Sequence, residues 1–483
     1  MSFDLVLFGG TGDLAGRKII PSLFQAFKHG TLPSDGKIFG VGRHHLSDQD
    51  YRDLIKNKLS DIEFPHRPTA EEFSRFGSIL HFIQLDLSQS SHYLVLKNVL
   101  AQRLSNTVVI YLATAPDLFE PICEHLATAG LNTSNTRIVL EKPLGNNLAS
   151  NISINKSVCK FFNENQIFRI DHYLGKPSVQ NLLALRFGNI FFEPLWRKEY
   201  IANIQISITE ELGISKRGAF YDSTGALRDM VQNHVLQLLC IIAMEPPIDA
   251  QSNSIRESKL EVLRSLKSWE TKTLKGDVSR GQYSPGIVGG EHVSGYTQEH
   301  GVSFDSHTET FVALRTEICN ERWEGVPFYI RTGKRMRSRS AQIIVTFKPI
   351  PHNIFFTPPG LTNKLIINLH QDDGLELHLL GNSQSTSLGA LCLEATELHL
   401  DFLKRFDTDR VGAYERLLLD VIHGDLSLFV SSDEQEEAWR WVEPILNFWH
   451  QHHTPLLLYE AGTMGPSESQ LMIERDGFFW DAN

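Results

Sequence analysis

Four side chains that could act together in catalysis lie within one short segment, residues 169–176, which reads RIDHYLGK. The four are a carboxylate, an imidazole, a phenol and an amine within six positions: Asp171, His172, Tyr173 and Lys176. An imidazole beside a carboxylate can take up a proton, and an ammonium group can bind an anion. We therefore interpret the segment as part of a substrate site, with a salt-bridged hinge between domains as the alternative.

A second candidate for acid–base chemistry is His234, in the segment RDMVQNH at residues 228–234. A histidine on such an apolar helix is more often a core residue, but the neighbouring Asp229 and Gln232 favour a general base. On an α-helix, side chains five residues apart point about 140° from each other. Asp229 is then poorly placed to orient His234 and better placed to contact substrate. Asp171 is the best candidate for the orienting carboxylate.

Two further segments supply cations. Glu141-Lys142-Pro143 ends a predicted strand at its carboxyl edge, where open α/β sheets bind ligands, and its proline can fix a rigid, cis turn. Residues 331–339 (RTGKRMRSR) form a predicted basic turn between two strand-like runs in an otherwise acidic chain. A solvated surface is the alternative for such a run, but its cations suit a phosphate or a sugar hydroxyl.

A glycine turn follows the first predicted strand directly. It consists of Gly9, Gly10, Thr11, Gly12, Asp13 and Leu14. Together with Ala15 it has the pattern GxxGxxA between a strand and a helix. In this pattern Gly9 keeps the turn tight and Gly12 lets the backbone approach a pyrophosphate. The small side chain of Ala15 lets the helix pack against the strand. We therefore predict a dinucleotide site, with a purely structural turn as the alternative.

The residues after the second predicted strand bear on the choice of cofactor. NAD sites usually have an acidic residue there, which binds the ribose 2′-hydroxyl. This chain has Arg43, followed by His44 and His45. A cation at this position suits a 2′-phosphate, which favours NADP without excluding NAD. A solvated charge at the strand end is the alternative interpretation.

The spacing of apolar residues predicts two kinds of sheet. The first third of the chain alternates helical stretches with short apolar runs, which is typical of a parallel, doubly wound sheet; the runs are residues 3–8, 38–41, 80–85, 108–113 and 137–140. After about residue 176, longer alternating runs predict an antiparallel sheet flanked by helices; they are residues 204–208, 311–314, 342–347, 364–369 and 375–380. Residues 227–244 are a predicted buried helix, and residues 276–305 are a predicted surface loop.

The composition limits the class of protein. With 483 residues the chain is long enough for two domains, which we place at residues 1–175 and 176–483. The formal net charge of −11 argues against nucleic-acid binding, and no apolar run approaches the ~20 residues of a membrane span. Five scattered cysteines without a CxxC pair indicate neither a zinc site nor a disulfide framework. With no basic leader or cleavage site at the N-terminus, the expected location is the cytoplasm.

Several motifs together resemble the glucose-6-phosphate dehydrogenase family. They are, in chain order, GGTGDLAGRKIIPSLF, EKPLG, RIDHYLGK, RDMVQNH, NERWEGVPFYIRTGK, AYERLLLD and EAWR. The resemblance runs from about residue 5 to residue 478, and RIDHYLGK is the motif most specific to the family. It implies an α/β N-terminal Rossmann-like dinucleotide-binding domain and a larger β+α domain with an extended, mainly antiparallel sheet. That larger domain would serve substrate binding and oligomerisation, and a homodimer or homotetramer is expected.

The resemblance also implies a reaction and a role for each matching residue. The C1 hydroxyl of glucose 6-phosphate is oxidised to 6-phosphogluconolactone, in the oxidative pentose phosphate pathway, with hydride transfer to NADP and without a metal. His234 is implied as the general base and Asp171 as its partner. The substrate's phosphate is assigned to His172, Tyr173, Lys176 and Arg339, and its sugar to Lys142, Glu210, Asp229 and Lys334. The cofactor is assigned to Gly9, Gly10, Thr11, Gly12, Asp13, Leu14, Lys18, Arg43 and Lys142.

Several departures from the family pattern accompany the match. Asn368 and Ser340 stand where some animal members carry basic residues for a second, structural NADP, so we expect that second site to be absent. Gly16 stands where the family often has lysine, and we expect this to be a neutral change on a helix surface. Ser215 and Lys216 replace an acidic residue and a glycine in a loop beside the sugar. His370 replaces a glutamine, so one sugar contact is expected to differ.

Two other functions fit parts of the pattern. An oxidoreductase with a Rossmann domain and an EKP turn, acting on another sugar or sugar phosphate, would not need the cations His172, Lys176 and Arg339. A non-catalytic sugar-phosphate sensor on the same fold would be expected to lack the base or its partner. His234 and Asp171 are both present, so the dehydrogenase is favoured.

Overall fold

The computed structural model describes residues 2–33, 35–61, 67–103, 105, 107–369, 374–383, 392–401, 411–452 and 454–481. The chain forms two compact units. The first comprises Met1–Lys176, Pro247–Glu257 and Asp409–Glu436, and the second comprises Pro177–Pro246, Ser258–Thr408 and Glu437–Asn483. A single boundary near residue 176 is therefore an incomplete division of the chain, because two later segments belong to the first unit.

The strands of the described residues are β1 (Ser2–Phe8), β2 (Asp35–Gly42), β3 (Leu80–Gln84), β4 (Thr107–Leu112), β5 (Thr136–Leu140), β6 (Ile167–Ile170), β7 (Ile201–Thr209), β8 (Val278–Ser284), β9 (Gly286–Val288), β10 (Glu291–Val293), β11 (Phe311–Thr316), β12 (Phe328–Gly333), β13 (Ser340–Phe347), β14 (Lys364–Asn368), β15 (Gly374–Asn382), β16 (Leu393–Asp401), β17 (Phe429–Val430) and β18 (Leu457–Glu460). The α-helices are α1 (Ile20–Lys28), α2 (Asp48–Ser60), α3 (Ala70–Gly77), α4 (Ser90–Ala101), α5 (Phe119–Thr128), α6 (Leu148–Cys159), α7 (Pro177–Gly188), α8 (Gly218–Ala226), α9 (Leu236–Ala243), α10 (Ser252–Arg264), α11 (Thr271–Gly276), α12 (Ala413–His423), α13 (Ser432–Gln451) and α14 (Ser467–Glu474). Two segments are π-helical, Ala15–Ile19 and Leu227–Val235.

The sheet of the first unit has the strand order β17-β6-β5-β4-β1-β2-β3. Its neighbouring strands are parallel, except that β17 is antiparallel to β6. All five strands predicted in the first third of the chain are present. Their aliphatic side chains, such as Val6, Ile110 and Ile138, are buried in one core with helix residues such as Leu96 and Ile122. The prediction of a Rossmann-like domain is therefore confirmed.

The second unit contains a sheet with the strand order β16-β15-β14-β13-β7-β12-β11-β8-β18. Two neighbouring pairs, β7 with β12 and β8 with β18, are parallel, and the other pairs are antiparallel. The five alternating runs predicted as strands in this half all lie in this sheet. The central strands β7 and β12 are buried along almost their whole length. The predicted, mainly antiparallel architecture is confirmed.

The prediction of a surface loop at residues 276–305 is wrong over much of that range, because β8, β9 and β10 lie within it. β8 pairs with β11 on one side and with β18 on the other, and its central residues are buried. The side-chain amide of Gln282 donates to the carbonyl oxygens of Ser306 and Thr308, at 3.0 Å each. Polar composition was misleading here, since a polar side chain can be buried when its hydrogen bonds are made.

Residues 227–244 are helical, as predicted, but in two forms. The π-helical segment Leu227–Val235 is followed directly by α9, and all eight residues of α9 are buried. The helix ends before Pro246 and Pro247, since proline has no N–H group to donate. Among the described residues, no helix has both the length and the apolar character needed to span a membrane.

Candidate active site

The glycine turn lies at the carboxyl end of β1 and is packed too tightly for side chains. Gly9 has a φ of 79°, in the left-handed region that favours glycine, and a Cβ atom there would lie 2.7 Å from the carbonyl oxygen of Ala113. A Cβ atom on Gly10 would lie 2.6 Å from Cα of Gly40. The N–H groups of both glycines donate to the carbonyl oxygen of Val41. The turn therefore fits the phosphates of a dinucleotide, which require a close approach of the backbone.

The other predicted cofactor residues lie along or beside this turn. Asp13 forms an ion pair with Arg17, with 2.6 Å between Oδ1 and Nε. Lys18 is exposed within the π-helical segment Ala15–Ile19. Arg43 is exposed and directly follows β2, the strand that pairs with β1. The structure thus puts Arg43 and the glycine turn at the carboxyl ends of two neighbouring parallel strands.

The expectation that position 16 lies on a helix surface is wrong. Gly16 is buried, and the side chain of Lys58 from α2 lies over it. A Cβ atom at position 16 would be 2.2 Å from Cδ of Lys58. Nζ of Lys58 donates to the carbonyl oxygens of Thr11 and Gly12, at 2.8 and 2.9 Å. The missing side chain at position 16 makes room for a lysine that no sequence motif identified.

Lys142 lies just after β5, and its peptide bond with Pro143 is cis, as predicted. The preceding residue, Glu141, is buried and accepts a hydrogen bond from the hydroxyl of Tyr111. A second tyrosine, Tyr414 of α12, also hydrogen bonds to this carboxylate. Burial raises the pKa of Glu141. The two tyrosines therefore hold the turn that carries Lys142.

The RIDHYLGK segment begins within a strand and continues as a turn. Arg169 belongs to β6 and is buried, and its guanidinium donates to the two carboxylate oxygens of Glu164 at 2.6 and 2.9 Å. Asp171 follows the end of β6 and is also buried, and its Oδ1 accepts a hydrogen bond of 2.9 Å from the N–H group of Tyr173. Because β5 and β6 are parallel neighbours, Asp171 and Lys142 lie at the same edge of the sheet.

Three of the predicted phosphate-binding side chains lie together in this turn. The ring centroids of His172 and Tyr173 are 4.9 Å apart, and Nζ of Lys176 is 4.6 Å from the centroid of Tyr173. All three side chains are partly exposed. Tyr414 stacks on His172, with centroids 5.9 Å apart and an interplanar angle of 13°. A Cβ atom on Gly175 would lie 2.5 Å from the carbonyl oxygen of residue 413, so this turn packs closely on α12.

In the second unit, two predicted sugar-binding residues form an ion pair at the ends of neighbouring strands. Glu210 follows β7 and Lys334 follows β12, and the last residues of these parallel strands, Thr209 and Gly333, are paired in register. Nζ of Lys334 lies 2.9 Å from Oε2 of Glu210. The same Nζ lies 5.2 Å from the ring centroid of Tyr221 in α8. An ammonium group and a carboxylate held together in this way can donate to and accept from sugar hydroxyl groups.

The predicted basic turn at residues 331–339 divides into buried and exposed parts. Arg331 lies in β12 and is buried, with its Cζ atom 4.4 Å from the ring centroid of Trp480. Burial lowers the pKa of Arg331 to about 10. Arg339 is exposed and immediately precedes β13. The placement of Arg331 in a turn was therefore wrong, because its side chain packs on an aromatic ring inside the unit, whereas Lys334 and Arg339 stay candidates for ligand contacts.

The departure at Ser215 and Lys216 lies in a turn that leads into α8. Ser215 has a φ of 51°, a conformation that is uncommon for residues with a side chain. It begins the 3₁₀ turn Ser215–Arg217. The side chain of Lys216 and the whole of His370 lie outside the described residues. The structure therefore locates a strained backbone position beside the helix that carries Tyr221.

His234 and Asp229 lie on the π-helical segment Leu227–Val235, which changes the argument about their geometry. In a π-helix the hydrogen bonds join residues five apart, so the angle between side chains at that spacing is smaller than in an α-helix. The premise of α-helical geometry is therefore wrong for this segment. His234 is buried and Asp229 is partly exposed. The pairing of His234 with Asp171, which belongs to the first unit, stays a prediction, and so does the assignment of Asp229 to the substrate.

A buried carboxylate that no motif indicated holds the start of this π-helical segment. Oε1 of Glu309 accepts a hydrogen bond of 3.0 Å from the N–H group of Leu227, and its carbonyl oxygen accepts one of 3.0 Å from Ala226. Gly225 has a φ of 74°, and a Cβ atom there would lie 2.4 Å from Oε1 of Glu309. Burial raises the pKa of Glu309. Glu309 thus anchors the backbone that leads to Asp229.

Comparisons with known proteins cover nearly the whole chain. Residues 6–181 match the family described as glucose-6-phosphate dehydrogenase, NAD binding domain, and residues 183–481 match glucose-6-phosphate dehydrogenase, C-terminal domain. The chain is 44% identical to the glucose-6-phosphate 1-dehydrogenase of Rhizobium meliloti (strain 1021), over 99% of this chain and 97% of that protein. A solved structure of glucose-6-phosphate dehydrogenase in complex with its substrate glucose-6-phosphate is similar, with a TM-score of 0.91 and 30% identity over 99% of this chain and 98% of that one. The crystal structure of glucose-6-phosphate 1-dehydrogenase from Mycobacterium avium has a TM-score of 0.84 and 32% identity, over 100% and 99% of the two chains.

Proposed function

The chain belongs to the glucose-6-phosphate dehydrogenase family, and from this premise we propose that it oxidises the C1 hydroxyl of glucose 6-phosphate to 6-phosphogluconolactone, with NADP as the preferred hydride acceptor. The observation that carries the proposal is the cluster of His172, Tyr173 and Lys176 in the turn after β6. An imidazole, a phenol and an amine on one partly exposed surface suit the phosphate of the substrate. Arg339 is a further cation for the same group.

His234 acts as the general base that removes the proton from the C1 hydroxyl. Asp171 holds the imidazole and stabilises its positive charge once the proton has been taken up. As the hydroxyl proton is withdrawn, the C–H bond at C1 becomes a better hydride donor. The sugar hydroxyls are bound by Lys142, Asp229 and the ion pair of Lys334 with Glu210, in which each side chain orients the other.

The first unit is proposed to bind the cofactor, which when bound supplies the hydride acceptor. The residues from Gly9 to Leu14 hold its pyrophosphate, and Lys18 and Lys142 lie toward the reacting end. Arg43 supports the preference for NADP, because it is an exposed cation at the end of β2. The second unit is proposed to bind substrate and to form a homodimer or homotetramer.

Initial rates with several substrates and both cofactors test the function. Glucose 6-phosphate and glucose are each supplied with NADP and with NAD, and the absorbance of the reduced nicotinamide is followed. We expect kcat/KM for glucose 6-phosphate to exceed that for glucose by about 100-fold or more, because the phosphate contacts have no partner in glucose. Similar values for the two sugars would contradict the phosphate assignment.

The cofactor preference is tested by Arg43→Ser in the same assay. Loss of the cation should raise the KM for NADP about tenfold and leave the KM for NAD nearly unchanged, since only NADP carries the 2′-phosphate. An equal change in the KM values for NADP and NAD would show that Arg43 does not bind the 2′-phosphate.

A further inference from the structure

One face of α2 lies against the glycine turn and binds three successive carbonyl groups of it. Tyr51 and Lys58 are seven residues apart, or about two helical turns, so they share that face. The hydroxyl of Tyr51 donates to the carbonyl oxygen of Gly10 at 3.2 Å. Nζ of Lys58 donates to the carbonyl oxygens of Thr11 and Gly12, at 2.8 and 2.9 Å. The carbonyl side of the turn is therefore held by side chains of a single helix.

The direction in which Lys58 points is determined by the rest of α2. The hydroxyl of Ser47 accepts a hydrogen bond of 3.1 Å from the N–H group of Asp50, and the carboxylate of Asp50 accepts one of 2.9 Å from the N–H group of Ser47. This capping box begins the helix, and Ile55 and Leu59 on its apolar face are fully buried. The helix is thus fixed at its start and in its rotation, which directs Lys58 toward the turn.

Holding the carbonyl groups on one side orients N–H groups on the other side. In a trans peptide, the C=O and N–H groups of one unit point in opposite directions. The carbonyl of Gly10 shares a peptide unit with the N–H group of Thr11, and the carbonyl of Gly12 shares one with that of Asp13. These two N–H groups therefore point away from α2, at the start of a helix, which is where a phosphate binds.

We propose that Lys58 is a positioning residue of the cofactor site, and that glycine is required at position 16 so that Lys58 can reach the turn. By holding the carbonyl group of Gly12, Lys58 keeps the N–H group of Asp13 directed at the cofactor's pyrophosphate. Its contact with the carbonyl group of Thr11 holds the next peptide unit, whose N–H group belongs to Gly12 and donates to the carbonyl oxygen of Gly9 at 2.8 Å. Its ammonium group also adds a positive charge close to the same phosphates. The inference rests on the proposed assignment of the glycine turn to the cofactor.

Equilibrium binding of NADPH, measured by its fluorescence, tests the inference without depending on turnover. The proteins compared are the wild type, Lys58→Met, Gly16→Ala and the double variant. Methionine keeps most of the aliphatic stem and removes both the donor and the charge. We expect Lys58→Met to raise the Kd for NADPH about tenfold, which corresponds to the loss of ~1.4 kcal/mol of hydrogen bonding.

The Gly16→Ala variant provides the more specific result. A new Cβ atom would displace the Lys58 side chain, so we expect a similar rise in Kd without any change to the lysine itself. The double variant should bind no more weakly than the weaker of the single variants, because both changes remove the same contacts. If the increase in Kd in the double variant equals the product of the increases in the two single variants, the proposed requirement for glycine is overturned. An unchanged Kd in Lys58→Met would overturn the role of Lys58.

Lys56→Met is the matched control, because Lys56 is an exposed lysine of the same helix whose Nζ lies 6.0 Å from the ring centroid of Phe73. Its Kd for NADPH should equal that of the wild type. The KM for glucose 6-phosphate at saturating cofactor should be unchanged in every variant, and thermal unfolding shows that each is folded. A wild-type protein that binds neither NADPH nor NADH would instead overturn the proposed function, which separates the two failures.

Discussion

Asp420 is a buried carboxylate in the last turn of α12, and its replacement by asparagine should stabilise the protein at alkaline pH. Only 8% of its side chain is exposed, and its partner is Nε of Arg416 at 3.1 Å. Burial raises the pKa of Asp420 to about 6, and the neighbouring charge of Asp425 acts in the same direction. The carboxyl end of a helix also disfavours a negative charge.

The sign and size of the effect follow from this pKa. In the unfolded chain the carboxyl group titrates near its ordinary value of 3.8, so the folded protein holds the proton more tightly. The contribution of Asp420 to stability is therefore complete below about pH 4 and is lost as the pH rises through about 6. The difference between the two pKa values corresponds to at most ~3 kcal/mol. The carboxyl group is not completely buried, so solvent reduces its desolvation penalty and about 1–2 kcal/mol is expected.

Thermal unfolding of the wild type and Asp420→Asn at pH 4.5 and pH 8 tests this reasoning. The variant should have a Tm about 2–6 °C higher at pH 8 and a smaller advantage at pH 4.5. Asp249→Asn is the control of opposite sign, because hydrogen bonds from Ser254 and from the N–H group of Gln251 lower the pKa of this exposed carboxylate. Its stabilising contribution is present at pH 8 and is lost on acidification, so its variant should be less stable at pH 8. A difference in Tm between the wild type and Asp420→Asn that is the same at pH 4.5 and pH 8 would refute this reasoning.

Two further predictions concern the substrate site. His234→Asn should lower kcat by about 10²- to 10⁴-fold, the usual contribution of a general base, with little change in glucose 6-phosphate binding; a variant with normal turnover would rule out the assigned role. Lys176→Ala should raise the KM for glucose 6-phosphate about tenfold and change kcat little, since a cation near the phosphate is lost. The exposed Lys160, which pairs with Glu120 at 2.7 Å, offers a control in Lys160→Ala, and an unchanged KM in Lys176→Ala would contradict the placement of Lys176 at the phosphate.

The fold and the position of the site along the chain could be predicted from local patterns. Strands of a parallel sheet are buried on both faces and therefore read as continuous apolar runs, which is why β1 to β5 were all identified. The glycine turn was recognisable because only glycine tolerates the φ of Gly9 and the close contact at Gly10. The carboxyl edge of the sheet then located Lys142 and Asp171, since each lies within two residues of the end of a strand. β8 was missed, because its polar side chains are buried through hydrogen bonds and not through apolar spacing.

The sequence by itself therefore determined the architecture, the family and the residue types of the site, because these depend on local spacing. Only the tertiary structure decided which distant residues support them. Lys58 reaches the carbonyl of Thr11 across 47 positions, and Glu309 holds the N–H group of Leu227 across 82. It also decided that Asp229 and His234 share a π-helical segment. The contacts of Lys58 and Glu309 depend on distances in space between residues that are far apart in the chain. The π-helical segment was not predictable because lengthening each helical hydrogen bond by one residue leaves the spacing of apolar residues almost unaltered.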